Sequence, residues 1–564
     1  MQLGSCARVS VCLLFLLAIP QLRADQLDDL AHDFWAWRAS QMPVSTDDIP
    51  RLERPAGWVP DWSPKAVGRY REQLQKFESE WKAMDASPWP LNRQVDYRLI
   101  GSAISRVRWE LDMTRGWQRN PLFYVDQSVG AYFHLLLPPP PFDSARSQQI
   151  IATLNSIPPT IQSAKQNLTE PVAPFAQLAI DELHEIGTRL RKSTSELKPQ
   201  LDSGSRAQLI AATDKAAMAL EGYRDWLSKG LPLMPKESAV GRDHYLFFLK
   251  NVALLPYTPE ELLRMGRSEW ARSVSRETYE AHRDQGQPQL SMFNNANEQI
   301  VREEKDEEAI RRYLESKNIL SVPAWVPHYR FAPIPPYIEP VNGVWETDDF
   351  GGPGRLKQNG TRYIPEPGPK LGYFALATAK DPRPEIVHEG VPGHYFQLVL
   401  SWANPDPIRR HYYDSGANEG IGFYAEEMMM DAGVFDDSPR SREIVCNFMR
   451  LRALRVEVDV KLALGEFTID QGAGYLHDTV PMDSETAHAE AKFFASTPGQ
   501  AISYQIGKLQ IFKFLADARR KQGDAFQLRA FHDHVWQNGN VPIALQRWEY
   551  LGLKDDLETL DKLH

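Results

Sequence analysis

Residues 321–383 carry Pro333, Pro335, Pro336, Gly351, Gly352 and Gly354, a density of chain-breaking residues that no long helix survives. On both sides of that stretch apolar residues recur at intervals of three and four. The expectation is a mainly α, multi-helical protein with a small β-containing insert. Helices are expected at 25–41, 63–84, 94–115, 144–155, 172–193 and 206–227, with a proline-rich connector at 138–141. Another should start after Thr258, where Pro259 suits the first helical position and Glu261 completes a capping box, and run to about 281. A charged helix follows at 294–316. Within the insert, Tyr373–Thr378 reads as a short strand that could pair with an extended peptide. Past Pro384 helical patterning returns and runs to the end of the chain. This divides the sequence into a signal at 1–24, a helical N-terminal lobe at 25–250 and a catalytic lobe at 251–564.

The N-terminus has the form of a secretory signal. Arg8 precedes the eleven-residue apolar run 9–19, and Ala24 offers a small residue before a cut at Asp25. Eleven apolar residues are too few to span a bilayer as a helix, so stable membrane insertion is not expected. Cleavage would remove two arginines and no acid from a chain whose net charge is already −10. Such an acidic protein is a poor partner for nucleic acid. It would also remove Cys6 and Cys12, leaving Cys446 without a disulfide partner. A large exported chain without disulfides fits the bacterial periplasm or secretion.

The chemistry is concentrated in residues 385–397, Glu-Ile-Val-His-Glu-Gly-Val-Pro-Gly-His-Tyr-Phe-Gln. His388 and His394 are candidate metal ligands, with the Glu389 carboxylate beside the first. Zinc peptidases commonly place two histidines at i and i+4, on one face of a helix. Here the separation is six, which puts the rings about 120° apart on a regular helix. Pro392 must break that helix and Gly393 tolerates an unusual backbone, so a two-residue bulge could return His394 towards His388. Two surface histidines beside a helix break fit the same residues. Glu419 lies 25 positions after His394, at the start of an apolar helix, and Glu426 two turns further on the same face. Buried carboxylates are costly unless a cation is near. Glu419 is a candidate third ligand, and Glu426 could orient a ligand histidine from behind. A carboxylate near a helix N-terminus is also an ordinary capping choice. No G-x-S-x-G elbow, P-loop or dinucleotide fingerprint accompanies these residues.

Four segments, HEGVPGH, NEGIGFYAEE, TPGQAISYQIG and FHDHVWQNGNVPIALQR, together resemble the bacterial domain-of-unknown-function family 885. Its members are similar to gluzincin-type zinc metallopeptidases. The resemblance implies a metallopeptidase-like helical fold, His388, His394 and Glu419 as zinc ligands, and Glu389 as the base that assists attack by zinc-bound water. Tyr504, on a late segment, would stabilise the oxyanion, and Lys508 one turn on could meet a substrate carboxylate. Tyr395 stands where a further His is common, and Ile421 where Trp is common. The function implied is an exported zinc peptidase acting on short peptides, of carboxypeptidase or dipeptidyl-carboxypeptidase character. Two alternatives stay open: a zinc amidohydrolase on a non-peptide amide, and a peptide-binding protein without turnover. The remaining histidines are weaker candidates. His532 and His534 point apart on a helix, and His477 and His488 could sit at the edge of a site. Cys446 is expected to be buried and inert.

Overall fold

The computed structural model describes residues 15–45, 52–343 and 347–563. The first described helix, Phe15–Gln41, runs through the expected cut before Asp25; residues 1–14 of the expected signal lie outside the described residues. Among the described residues no helix is long and apolar enough to cross a membrane.

The protein is mainly helical, as the periodicity predicts. Thr258 caps Pro259–Arg283 as expected: its hydroxyl accepts from the Glu261 N–H at 3.3 Å, and the Glu261 carboxylate accepts from the Thr258 N–H at 2.8 Å. The helix expected at 144–155 is longer and runs Ser144–Asn167 through Pro158 and Pro159. Prolines remove two internal bonds there. The helix persists because it packs along Ser203–Gly230 and buries Ile150, Leu154, Ile157 and Ile161.

The insert forms one three-stranded sheet. β1 (Tyr329–Pro333) pairs in parallel with β3 (Gly360–Ile364), and β2 (Asp348–Asp349) pairs antiparallel on the other side of β3. Tyr373–Thr378 is a helix, which corrects the strand expected there. Its first N–H, an orphan in any helix, donates to the Asp483 carboxylate at 3.0 Å, and Tyr373 and Phe374 pack on Phe448. A short apolar run has no periodicity that separates strand from helix. The sheet-edge role for this segment falls with it.

Four helices carry the centre of the C-terminal half. Pro259–Arg283 lies along Pro439–Leu464, and Ser415–Asp431 lies along Gln500–Gln522. The second pair crosses backbone to backbone. A Cβ on Gly420 would stand 2.7 Å from the Gly507 Cα, and one on Gly507 would stand 2.1 Å from the Gly416 carbonyl oxygen. Only glycine permits that approach, so the glycines of the NEGIG and YQIG segments set how closely Gln500 and Tyr504 come to Glu419. A cavity of about 1680 Å³ opens above this crossing, with Ala131, Leu135 and Leu137 on one wall and the histidine motif on another.

Candidate metal centre

The chain does not kink at Pro392; it leaves the helix and starts another. Ile386–Gly390 is a widened π-helical turn, closed by the Val391 N–H donating to the Ile386 carbonyl at 2.8 Å. Val391 is extended, the Val391–Pro392 bond is cis, and His394 is the first residue of the helix His394–Trp402. The Trp536 indole N–H holds the Pro392 carbonyl at 2.6 Å. The two rings thereby stand 4.7 Å apart, centroid to centroid, at 81°. The convergence expected of a bulge is present, through a larger break than a bulge.

One ligand atom each from His388, His394 and Glu419 lies within 4.8 Å of the others. The Glu419 Oε2 is 3.1 Å from His394 Nε2 and 3.6 Å from His388 Nε2. Donors of a tetrahedral zinc ion, with bonds near 2.1 Å, lie roughly 3.4 Å from one another. All three side chains are buried. Behind them, the Glu426 carboxylate stands 2.6 Å from His388 Nδ1, and Arg452 Nη2 stands 3.0 Å from the same carboxylate. With the Nδ1 proton directed at Glu426, the lone pair of His388 Nε2 faces Glu419 and His394. Gln500 Nε2 donates to the other Glu419 oxygen at 3.4 Å. Gln500 opens its helix where Asp459 accepts from the N–H groups of Gly499 and Ala501, at 2.9 and 2.8 Å. Gly499 takes φ +96°, and a Cβ there would strike Phe248 at 2.1 Å, which accounts for the glycine of the TPGQ segment.

The electrostatics are those of a site that wants a cation. Burial and the Arg452 charge push His388 down, but the Glu419 and Glu426 carboxylates outweigh them and raise it to about 9 in the metal-free chain. Burial pushes Glu419 up, yet the two imidazoles hold it well below the usual carboxylate range. The carboxylate and the two imidazoles draw positive charge to the point where their ligand atoms converge. Two imidazoles and one carboxylate are the three protein donors that a catalytic zinc ion takes. The residues present therefore fit that ion.

Glu389 is half-buried and faces the cavity. Burial raises its carboxyl, and His394 and His388 pull in the opposite direction. Tyr504 lines the same cavity, its ring near-parallel to His388 with centroids 6.1 Å apart. Lys508 is not on the cavity. It is fully buried, donates to Glu427 at 2.9 Å and rests on the Phe423 ring. It ties the Gln500–Gln522 and Ser415–Asp431 helices together, so a role in meeting substrate is withdrawn. His532 bonds the Ile319 carbonyl and the Tyr424 hydroxyl, both at 2.8 Å, and burial lowers it to about 4. His534 stacks on Tyr550, and His477 bonds the Met482 carbonyl. His488 lines the cavity but is not grouped with the three candidate ligands. Cys446 is buried, and burial pushes its thiol up to about 12. Ile421 and Tyr395 are both buried in the core. Arg452 and Gln500 were not legible as site residues; the signals were a run of charges on an otherwise apolar helix at 450–459 for Arg452, and membership of the TPGQAISYQIG segment for Gln500.

Gly422 makes room for both rings. A Cβ there would stand 3.0 Å from His394 Cε1 and 3.1 Å from His388 Cε1. Gly422→Ala is expected to weaken zinc binding by roughly 10–100-fold, the scale set by groups that orient ligands, with little change in Tm. Gly474, whose Cβ would meet nothing within 4 Å, supplies the control substitution. Competition against a chromophoric chelator reads the affinity. Equal affinities for the two alanine variants would show that the rings do not depend on this space.

Among solved structures, the chain resembles two proteins each named a "putative lipoprotein", of unknown function in the first case. The one from Shewanella oneidensis is 17% identical, with a TM-score of 0.69, and the alignment covers 94% of this chain and 99% of that one. The one from Colwellia psychrerythraea is also 17% identical, with a TM-score of 0.71, covering 96% and 99%. At this identity the likeness is one of fold. No curated protein matches the chain. A family model matches residues 51–548, across both walls of the cavity and all four recurring segments. The chain belongs to the family of bacterial proteins of unknown function designated DUF885.

Proposed function

We propose that the protein is an exported zinc-dependent peptidase that hydrolyses short peptides. The observation that carries this reading is the meeting of His388, His394 and Glu419 beside the Glu389 carboxylate, on the wall of a cavity large enough for several residues of substrate. A bound zinc ion would acidify a water molecule and polarise the scissile carbonyl. Glu389 takes the proton from the attacking water and returns it to the leaving amine. Tyr504 faces the cavity beside His388 and supplies a hydroxyl for the developing oxyanion. Glu426 and Arg452 hold His388 in the tautomer that binds metal. In this reading the segment 25–250 supplies the cavity wall opposite the metal, and the rest of the chain supplies the chemistry. Export to the periplasm or medium is supported by the N-terminal pattern at residues 1–24.

The test is metal analysis of the purified protein, followed by assay against a mixed peptide library and a panel of acylated amino-acid amides. The expected result is about one zinc ion per chain, peptide hydrolysis abolished by chelation, and recovery when zinc is restored. Hydrolysis of the non-peptide amides alone would move the reading to an amidohydrolase. A chain that neither holds nor takes up zinc would refute it.

A further inference from the structure

Arg455 lies one turn beyond Arg452 on Pro439–Leu464 and lines the same cavity. Its side chain is 5% exposed and immobilised. Nε and Nη2 donate to the two oxygens of Glu490 at 2.6 and 2.7 Å, and the rings of Tyr504, Phe374 and Phe494 surround the guanidinium at 4.7, 5.5 and 5.5 Å. Nη1 donates to no acceptor among the described residues. An arginine that serves only the fold uses its donors within the protein, as Arg146 does on the same cavity. Its Nε, Nη1 and Nη2 all donate to main-chain carbonyls between Leu135 and Pro141. Arg455 instead lines the cavity with one nitrogen, carrying two N–H groups and part of a delocalised positive charge, left without a protein acceptor among the described residues.

We propose that Arg455 Nη1 binds the free C-terminal carboxylate of the peptide substrate, so that cleavage falls one or two residues from that end. The inference rests on the peptidase reading and adds the recognition element to it. Spacing sets the register. Tyr504 separates the guanidinium from His388, with steps of 4.7 and 6.1 Å, so the guanidinium carbon lies no more than roughly 11 Å from the His388 ring. An extended residue spans about 3.5 Å. Once the reach of the ion and of the hydrogen bond is taken up, one or two residues fit between the scissile carbonyl and the carboxylate. A carboxylate gains a charge-assisted bond that an interior carbonyl does not.

Binding can be measured apart from turnover. In the zinc-loaded Glu389→Gln protein, calorimetric titration with a tripeptide as free acid and as C-terminal amide is expected to favour the acid by roughly 10–100-fold, the range a bond to a charged group supplies. In the same background, Arg455→Met combined with Glu490→Gln removes both members of the buried pair and should bring the ratio close to one. Arg455→Lys, which keeps the charge and leaves Glu490 partnered, should restore part of it. That variant also carries the test if the double exchange does not fold. Equal binding of acid and amide to the parent, a preference that survives the double exchange, or one that is undiminished in Arg455→Lys would overturn the assignment. An active wild-type peptidase with no acid preference would sink Arg455 alone. A chain that hydrolyses no peptide would sink the underlying reading as well.

Discussion

Glu389→Gln is expected to reduce peptide hydrolysis by roughly 10²–10⁴-fold while leaving one zinc ion per chain and an unchanged fold. Glutamine has the shape of the carboxylate and cannot take a proton from water. Loss of a positioned general base removes roughly 10²–10⁴-fold in rate. Glu389 is not one of the three clustered donors, which come from His388, His394 and Glu419, so metal stoichiometry should hold. Stability should hold or rise, because burial already disfavours the charged form of this side chain. The loss should appear in kcat rather than KM, as expected of an interaction made only in the transition state. Steady-state kinetics and metal analysis on the same preparation check both halves. Activity within tenfold of wild type would remove Glu389 as the base. Loss of zinc would make it a ligand instead.

The frame of this site was legible where periodicity carries physical meaning. Spacings of three and four located most of the helices, although the one expected at 172–193 is broken into Ala173–Glu182 and Ile186–Leu197, and the i and i+7 relation placed Glu419 and Glu426 on one face. The Pro-Gly pair inside a six-residue histidine gap announced a backbone break. The manner of the break was not legible, because the π turn before it and the fresh helix after it depend on contacts from Trp536 and Tyr329 far along the chain. Arg452, Gln500 and Arg455 stayed hidden for a related reason. The partner of each comes from another element, Glu426, Glu419 and Glu490 respectively, and no spacing along their own helices announces it. Lys508 was misread because nothing local distinguishes a solvated lysine from one neutralised by Glu427. The helix expected at 144–155 runs on through Pro158 and Pro159, because tertiary packing overrides their low helix propensity. The glycines of the shared segments were visible as a pattern, but their cause is distance: 420 and 507 admit a helix crossing, and 422 admits two rings.

Gly393→Ala is expected to abolish zinc binding in the measurable range and to lower Tm by several degrees, a far larger effect than Gly422→Ala. The two differ in what the new methyl group meets. At position 422 the Cβ approaches ring atoms at 3.0–3.2 Å, and rings can shift by a few tenths of an ångström. At position 393 it would lie 1.7 Å from the His388 carbonyl oxygen, 2.4 Å from the His388 carbonyl carbon and 2.5 Å from the Val387 carbonyl oxygen. These are main-chain atoms of the turn that carries the first candidate ligand, held on the far side by the Trp536 bond to Pro392. Relief therefore requires either His388 or the start of the His394 helix to move by more than an ångström. Either movement takes one imidazole out of reach of Glu419, since bond lengths to zinc tolerate only a few tenths. Strain of this kind costs about 2–4 kcal/mol in a buried segment, the upper range of single substitutions. Chelator competition should read an affinity loss above a hundredfold, and thermal melts of the metal-free chains should separate the structural cost from the lost ion. A Gly393→Ala protein that binds zinc as tightly as wild type would mean that His388 and His394 do not owe their meeting to the backbone contact between Gly393 and His388.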